Sequence, residues 1–125
     1  MKFIIKGELP GLNEYVASIN RNRYNGNKLK QETQDNIMWQ IKQQCQFSNK
    51  IEKPVIVHFL WVSKDKRRDI DNVSHGQKYV LDSLVKIGIL PNDNRKWVKG
   101  LYHDFEIDKE NPRVEIVIEE YLTVK

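Results

Sequence analysis

The sequence has a single cysteine, Cys45, and therefore cannot form an internal disulfide, which favours a reducing compartment. It also lacks any run near the roughly 18 apolar residues of a membrane-spanning helix. The apolar part of residues 1–6 is too short for a signal peptide. These absences exclude a secreted protein stabilised by internal disulfides and a membrane-spanning protein. They predict a cytoplasmic protein with no membrane partner.

Several common catalytic and cofactor-binding motifs are also missing. The sequence contains no glycine-rich phosphate loop and no Gly-x-Ser-x-Gly turn for a nucleophilic serine. A calcium loop counted from Asp69 would place Ser74 where glycine is needed and Val80 where the bidentate glutamate belongs. The spacing of the potential zinc ligands in the sequence does not match that of a zinc site. These residues are Cys45, His58, His75 and His103. We therefore expect no zinc site, no calcium loop and no small-molecule cofactor.

Charge is plentiful in this sequence, and it is unevenly distributed. The 125 residues carry 21 Lys and Arg against 17 Asp and Glu, for a net charge of +4. Residues 104–120 hold seven of the acids and only two bases, so the other 108 positions carry a net charge of +9. We expect the acidic segment to form a pair of strands turned away from a basic surface. Such a surface suits a polyanion.

Two basic clusters stand out, although either one alone is more typical of a solvated surface than of a binding site. The members of the two clusters are Lys64, Lys66, Arg67 and Arg68, and then Arg95, Lys96 and Lys99.

A chain of this length buries roughly two-thirds of its unfolded surface when it folds. With 39% hydrophobic residues, it is expected to form one domain over residues 1–125.

The hydrophobic pattern predicts an α/β (α+β) fold with a mixed sheet of about four strands, two main helices and the order β-α-β-α-β-β. The predicted strands span residues 2–8, 55–62, 97–107 and 114–118, and the predicted helices span residues 27–47 and 72–87. Residues 55–62 are almost continuously apolar, which is typical of a central strand. Residues 9–26 are predicted to form a long loop, Asn25 or Asn27 to cap the first helix, and Gly88 to end the second.

Two carboxylates, Asp69 and Asp71, lie among basic residues directly after the predicted central strand. Residues two apart in an extended segment project to the same side, so both carboxylates could bind one hard cation such as Mg²⁺. In a helix that starts near Asp71, the side chains of His75, Lys78 and Asp82 would lie close to one stripe. Asp93, in the turn after that helix, could return to the same region. This set predicts metal-assisted hydrolysis of a phosphodiester.

Each of these residues also has a purely structural interpretation. Asp71 or Asn72 could be the N-cap of a helix, and Asp93 could simply form a turn. Lys78 and Asp82 could be an ordinary pair one helical turn apart, worth a few tenths of a kcal/mol.

Three motifs in order make the sequence similar to one known family. They are Arg68-Asp69-Ile70-Asp71-Asn72, Lys78-Tyr79-Val80-Leu81-Asp82-Ser83-Leu84 and Gly88-Ile89-Leu90-Pro91-Asn92-Asp93. Together they resemble the RusA family of Holliday-junction resolvases, and the Pro- and Asn-containing segment 9–15 resembles the start of that family more weakly. The resemblance implies a RusA-like fold and a homodimeric endonuclease that cuts four-way DNA junctions with Mg²⁺, for which Mn²⁺ could substitute. Such enzymes are common in bacteriophages and prophages, which would place this one in the cytoplasm of a bacterial host.

The resemblance also implies roles for individual residues. Asp69, Asp71 and Asp93 match the catalytic acids that bind the metal ion, while Asn92 departs from a position where the family often has another acid. The catalytic lysine is ambiguous: counting from Asp71 places His75 there, and counting back from Asp82 places Lys78 there. We favour Lys78, because its positive charge is permanent. The residues expected to contact DNA are Arg21, Arg23, Lys64, Lys66, Arg67, Arg68, Asn72, His75, Arg95 and Lys96.

Two other functions remain open from the sequence. One is a non-catalytic protein that binds branched DNA, and the other is a nuclease for flaps, other branched substrates or RNA.

Overall fold

The computed structural model describes residues 1–45 and 49–122, which form four strands and four helices. In chain order these elements are β1 (Lys2–Lys6), α1 (Leu12–Arg21), α2 (Arg23–Gln44), β2 (Val55–Ser63), α3 (Ile70–Ser74), α4 (Gln77–Lys86), β3 (Val98–Ile107) and β4 (Arg113–Glu120). The predicted α/β class and the mixed four-stranded sheet are therefore confirmed. No helix within the described residues is both long enough and apolar enough to cross a membrane.

The sheet has the strand order β1-β4-β2-β3. β2 pairs parallel with β3 and antiparallel with β4, while β1 pairs antiparallel with β4. The continuously apolar segment therefore forms an internal strand, as its sequence predicts. Because β2 and β3 are parallel, their carboxyl ends lie at the same edge of the sheet, and the chain that leaves β2 there carries Asp69 and Asp71.

The core lies between one face of the sheet and the helices. Alternate residues of the strands, including Phe59 and Ile116, are buried against Ile37 and Ile41 of α2 and Leu84 of α4. Helix α2 is also bound to the outer edge of β1. The Gln44 side chain accepts a hydrogen bond from the backbone N–H of Ile4 at 2.8 Å, and Gln40 accepts one from Lys6 at 2.8 Å. These bonds fix α2 relative to the sheet.

The prediction of a long loop over residues 9–26 is wrong, because α1 and the first turn of α2 occupy most of this segment. Many polar residues and two glycines made it resemble a loop, but Leu12, Val16 and Ile19 recur at helical spacing. α2 begins at Arg23 and not at residue 27, and its N-cap is Asn22, whose side chain accepts a hydrogen bond from the N–H of Asn25. The predicted end of this helix, Phe47, lies outside the described residues.

The predicted helix over residues 72–87 is in fact two helices, α3 and α4, separated by His75 and Gly76. A Cβ atom at Gly76 would lie 3.0 Å from the Trp61 ring and 3.3 Å from Leu9, so the break packs tightly against β2. Since Asp71 belongs to α3 and Lys78 to α4, the single stripe of side chains expected from a continuous helix does not form. Gly88 follows α4 with a φ of +82°, as expected for a helix stop.

The acids of residues 104–120 do not lie on a pair of neighbouring strands, because β2 separates β3 from β4. The strand order accounts for the error: β4 pairs with β1 and β2, and β3 pairs only with β2. Nor are all of these acids turned away from the basic segment, since Glu106 lines the same cavity as Lys66 and Arg68.

Candidate active site

Asp69 and Asp71 lie where the chain leaves the carboxyl end of β2 and enters α3. Asp69 is the N-cap residue of α3 but makes no capping hydrogen bond with its side chain, and Asp71 Oδ1 accepts a hydrogen bond from the N–H of Asn72 at 3.0 Å. Both side chains are exposed. Within the described part of the chain, neither carboxylate forms an ion pair, because the neighbouring Arg67 and Arg68 bind other acids. Two carboxylates without a balancing cation suit a bound metal ion.

A cavity of about 560 Å³ opens beside Asp69 at the carboxyl ends of the two parallel strands. Its polar and charged lining includes Ser63, Asp65, Lys66, Arg68, Asp69 and Glu106. An apolar wall is added by Ile70, Phe105 and Ile107, of which Ile70 is 62% exposed. The cavity thus places an acid of the candidate site next to cations and to an open apolar surface.

Asp93 lies apart from this cavity and is bound by Lys78. The Lys78 ammonium contacts Asp93 Oδ2 at 2.9 Å and Asp82 Oδ1 at 3.0 Å. The hydrogen bond to Asp93, followed by the one to Asp82, raises the pKa of Lys78 above its ordinary value of 10.5. In turn, the hydrogen bond from Lys78 lowers the pKa of Asp93 below its ordinary value of 3.8. Lys78 therefore carries a positive charge at all physiological pH values.

The single chain does not gather the three predicted acids at one point. Asp69 and Asp93 line two different cavities, and Asp71 lines neither of them. Among residues 1–45 and 49–122, no group of three acid, histidine or cysteine side chains is placed to hold a metal ion. The set of Asp69, Asp71 and Asp93 as metal ligands therefore stays a prediction.

Arg68 binds the N-terminal segment of the chain, and its side chain is only 20% exposed. Its guanidinium donates a hydrogen bond to the carbonyl oxygen of Leu9 at 2.9 Å and forms ion pairs with Glu8 at 3.4 Å and Glu14 at 3.6 Å. Lys64 also pairs with Glu8, at 4.0 Å. Neither glutamate is among the residues predicted from the sequence, since no local pattern links Arg68 to residues that lie more than 50 positions earlier in the chain.

Asn72 is 7% exposed, and its side chain is part of the folded interior. Its Oδ1 atom accepts a hydrogen bond from the backbone N–H of Asn13 at 2.8 Å. Gly11 passes so close that a Cβ atom there would lie 2.6 Å from this same oxygen. Asn72 therefore fixes the start of α1 against the acid pair, and its burial does not favour the DNA contact expected from the sequence.

His75 lies between two tyrosine rings at the break between α3 and α4. Its ring centroid is 5.5 Å from that of Tyr15 and 5.7 Å from that of Tyr79. Burial lowers the pKa of His75 below its ordinary value of 6.5, so the ring is mostly neutral at neutral pH. Burial also raises the pKa of Tyr79 to about 12, which keeps its hydroxyl protonated. Lys78, in contrast to His75, directly contacts one of the predicted acids.

The other cations expected to contact DNA are exposed and lie in three places. Arg21 and Arg23 flank the junction of α1 and α2, and Lys66 and Arg67 precede α3. Arg95 and Lys96 lie in the segment before β3, where the Lys96 ammonium is 5.8 Å from the centroid of the Trp97 ring. Arg67 is 88% exposed and pairs only weakly with Asp65, at 3.6 Å. These side chains are accessible to a ligand.

Carboxylates that hold a divalent metal ion are used by many enzymes that cleave phosphodiesters, and ligands of open α/β sheets often bind at the carboxyl ends of the strands. The family described as "Endodeoxyribonuclease RusA" matches residues 9–119, which is nearly the whole chain. The chain therefore belongs to the RusA family of endodeoxyribonucleases, and the resemblance seen in its three motifs is confirmed. No curated protein matches it.

Proposed function

We propose that this protein is a magnesium-dependent endonuclease that resolves four-way DNA junctions by paired nicks. The observation that carries the proposal is that Asp69 and Asp71 are exposed and form no ion pair within the described residues, although Arg67 and Arg68 directly precede Asp69 in the chain. Two exposed carboxylates that are two residues apart in the chain are available as oxygen ligands for a hard cation. A family of endodeoxyribonucleases supplies the reaction class.

The donor chemistry of this pair fits Mg²⁺, which prefers oxygen ligands and takes only one or two carboxylates from a protein, completing its shell with water and substrate phosphate. Asp69 and Asp71 would hold the ion, and Asp93 is the third acid of the predicted set. When bound, the ion would help to activate the attacking water and to stabilise the leaving oxygen.

Lys78 is proposed to stabilise the negative charge that develops on the scissile phosphate. Its ammonium keeps its proton, because two carboxylates raise its pKa. His75 is a poorer candidate, because its ring is packed against Tyr15 and Tyr79 and its lowered pKa leaves it mostly neutral. A side chain stabilises the negative charge of the transition state only while it is protonated, so a permanently charged lysine is better suited to this role than a mostly neutral histidine.

The exposed cations before α3, before β3 and between α1 and α2 would bind the phosphate backbone of the junction arms. Resolution needs two nicks in opposed strands, which a homodimer with two-fold symmetry would supply with two identical sites. Dimerisation is part of the proposal, and its direct measure is the molar mass of the purified protein in solution.

The decisive experiment compares cleavage of a labelled four-way junction with cleavage of a linear duplex of the same sequence, in Mg²⁺ and in EDTA. We expect paired nicks in the junction, in Mg²⁺ only. Equal cutting of both DNAs would contradict junction resolution, and binding of junctions without any cutting would favour a non-catalytic binding protein. A panel of flaps and single-stranded RNA tests the remaining alternative.

The Asp71→Asn variant tests the metal site itself. We expect it to lose cleavage but to keep junction binding, because contacts to phosphates supply most of the affinity. Asp65→Asn is the matched control, since Asp65 lines the cavity beside Asp69 but lies outside the predicted acid set. Titration with Mn²⁺, followed by electron paramagnetic resonance, should show weaker binding to Asp71→Asn than to Asp65→Asn.

A further inference from the structure

The Lys78 ammonium is held between two carboxylates. Its Nζ atom lies 2.9 Å from Asp93 Oδ2 and 3.0 Å from Asp82 Oδ1. An ammonium group has three N–H donors and no acceptor, so these two contacts leave one donor free. Lys78 itself is exposed, which makes the free donor accessible to a phosphate oxygen from outside.

The position of Lys78 in α4 does not explain why its ammonium is held between Asp82 and Asp93. Lys78 is the second residue of α4, where the helix dipole disfavours a positive charge. Its pairing with Asp82 also runs in the less favourable order, with the cation N-terminal to the acid. An exposed pair of this kind would be weak and would leave the long side chain mobile. Something else must hold the acid in place.

Two residues of α2 contact the Asp82 carboxylate. Its side chain is 18% exposed, and its Oδ2 atom accepts a hydrogen bond from Gln34 Nε2 at 3.3 Å and lies 3.8 Å from the Lys30 ammonium. Gln34 is fully buried. Its Oε1 atom accepts a hydrogen bond from the Lys86 ammonium. Because an ammonium only donates and a carboxylate only accepts, the orientation of the Gln34 amide between them is determined.

A continuous set of polar contacts thus runs from the interface of α2 and α4 to Asp93. We propose that Asp82 is a positioning residue that holds the Lys78 ammonium beside Asp93 and directs its free N–H donor toward the scissile phosphate. This inference rests on the proposed function of Lys78, and it goes beyond the predicted catalytic set, which does not include Asp82. Without the Asp82 charge, the ammonium would keep one anionic partner and a much wider range of rotamers.

The test uses Asp82→Asn, which preserves the size of the side chain and removes its charge. The matched control is Glu32→Gln, which removes an equal charge from the surface of α2, where Glu32 pairs with Lys28 at 3.9 Å. In the DNA-free protein, the pKa of Lys78 is measured from the ¹³Cε shift of labelled lysine, with Lys78→Met providing the assignment. On junction DNA, the single-turnover cleavage rate and the dissociation constant are measured, and thermal unfolding verifies that each variant is folded.

We expect Asp82→Asn to lower the pKa of Lys78 and to slow cleavage on the order of 10- to 100-fold, with the dissociation constant unchanged relative to Glu32→Gln. An unchanged cleavage rate in folded Asp82→Asn overturns the inference, and so does slower cleavage with an unchanged pKa. A wild-type protein that cuts no junction overturns the proposed function instead. The Lys78 titration then decides separately whether Asp82 holds the ammonium.

Discussion

The side-chain oxygen of Asn72 accepts a hydrogen bond from the backbone N–H of Asn13 at 2.8 Å, and this bond joins two segments that lie 59 residues apart in the sequence. Asn72 directly follows Asp71, and Asn13 is the second residue of α1. The bond therefore couples the orientation of the acid pair to the N-terminal helix, which the sequence had suggested to be a loop.

Asn72→Ala should destabilise the protein by about 1–3 kcal/mol, because it leaves the Asn13 N–H without its partner in a partly buried position. Unfolding in urea measures the change. The control is Asn27→Ala, which replaces an exposed residue of α2 with a better helix former and should cost nothing. Equal stability of the two variants would mean that the Asn72 contact contributes no net stability.

Arg68→Lys should also destabilise the protein, although it keeps the positive charge. An ammonium cannot reproduce the fork with which Arg68 reaches the Leu9 carbonyl, Glu8 and Glu14 together, so we expect a loss of roughly 1–3 kcal/mol. Arg67→Lys is the neighbouring control, and its 88% exposed side chain predicts almost no change in the free energy of unfolding. If both variants unfold at the same urea concentration, Arg68 does not anchor the N-terminal segment.

The Lys78–Asp93 pair should make stability depend on pH at the acidic end. Lys78 lowers the pKa of Asp93, so the carboxylate contributes stability above 3.8, the ordinary pKa of the group, and loses this contribution as the pH falls through the lowered value. The pKa of Lys78 is raised, so its own contribution persists through neutral pH and disappears only above 10.5.

Comparing the free energy of unfolding of wild type and Asp93→Asn from pH 7 to pH 2 tests this dependence. The advantage of the wild type should be constant near neutral pH and should vanish at the acidic end. Asp104→Asn serves as the control, because Asp104 is exposed and forms no ion pair within the described residues. A difference between wild type and Asp93→Asn that does not change with pH would contradict the role of this ion pair.

Lys78→Met and His75→Phe together decide which side chain stabilises the phosphate. We expect Lys78→Met to slow junction cleavage on the order of 100- to 1000-fold, the cost of removing one preorganised donor to a developing charge. His75→Phe keeps an aromatic ring between Tyr15 and Tyr79 and should slow cleavage far less. The measurement is the single-turnover rate at saturating protein, and a larger loss in His75→Phe would reverse the assignment.

Local sequence patterns predicted the sheet well and the polar site less well. The alternation of Val114, Ile116 and Ile118 correctly marked the buried face of β4, and the apolar run of β2 correctly marked an internal strand. The helix break at Gly76 has no signal in the local pattern, since the close packing of Gly76 against the Trp61 ring involves another element of the fold. Likewise, the apolar positions of α1 are at least partly exposed, so their periodicity carried a weak signal among many polar residues.

The sequence by itself determined the fold class, the order of the acid motifs and the membership of the family, because hydrophobic periodicity and motif spacing are local properties of the chain. Only the tertiary structure decided the partners of the polar side chains. Arg68 is used to bind Glu8 and Glu14, Asn72 holds the start of α1, and Lys78 bridges Asp82 and Asp93. These partners are decided by how α1, α2 and α4 pack on the sheet, since a charged or amide group pairs with whichever complementary group the packing brings within about 3 Å.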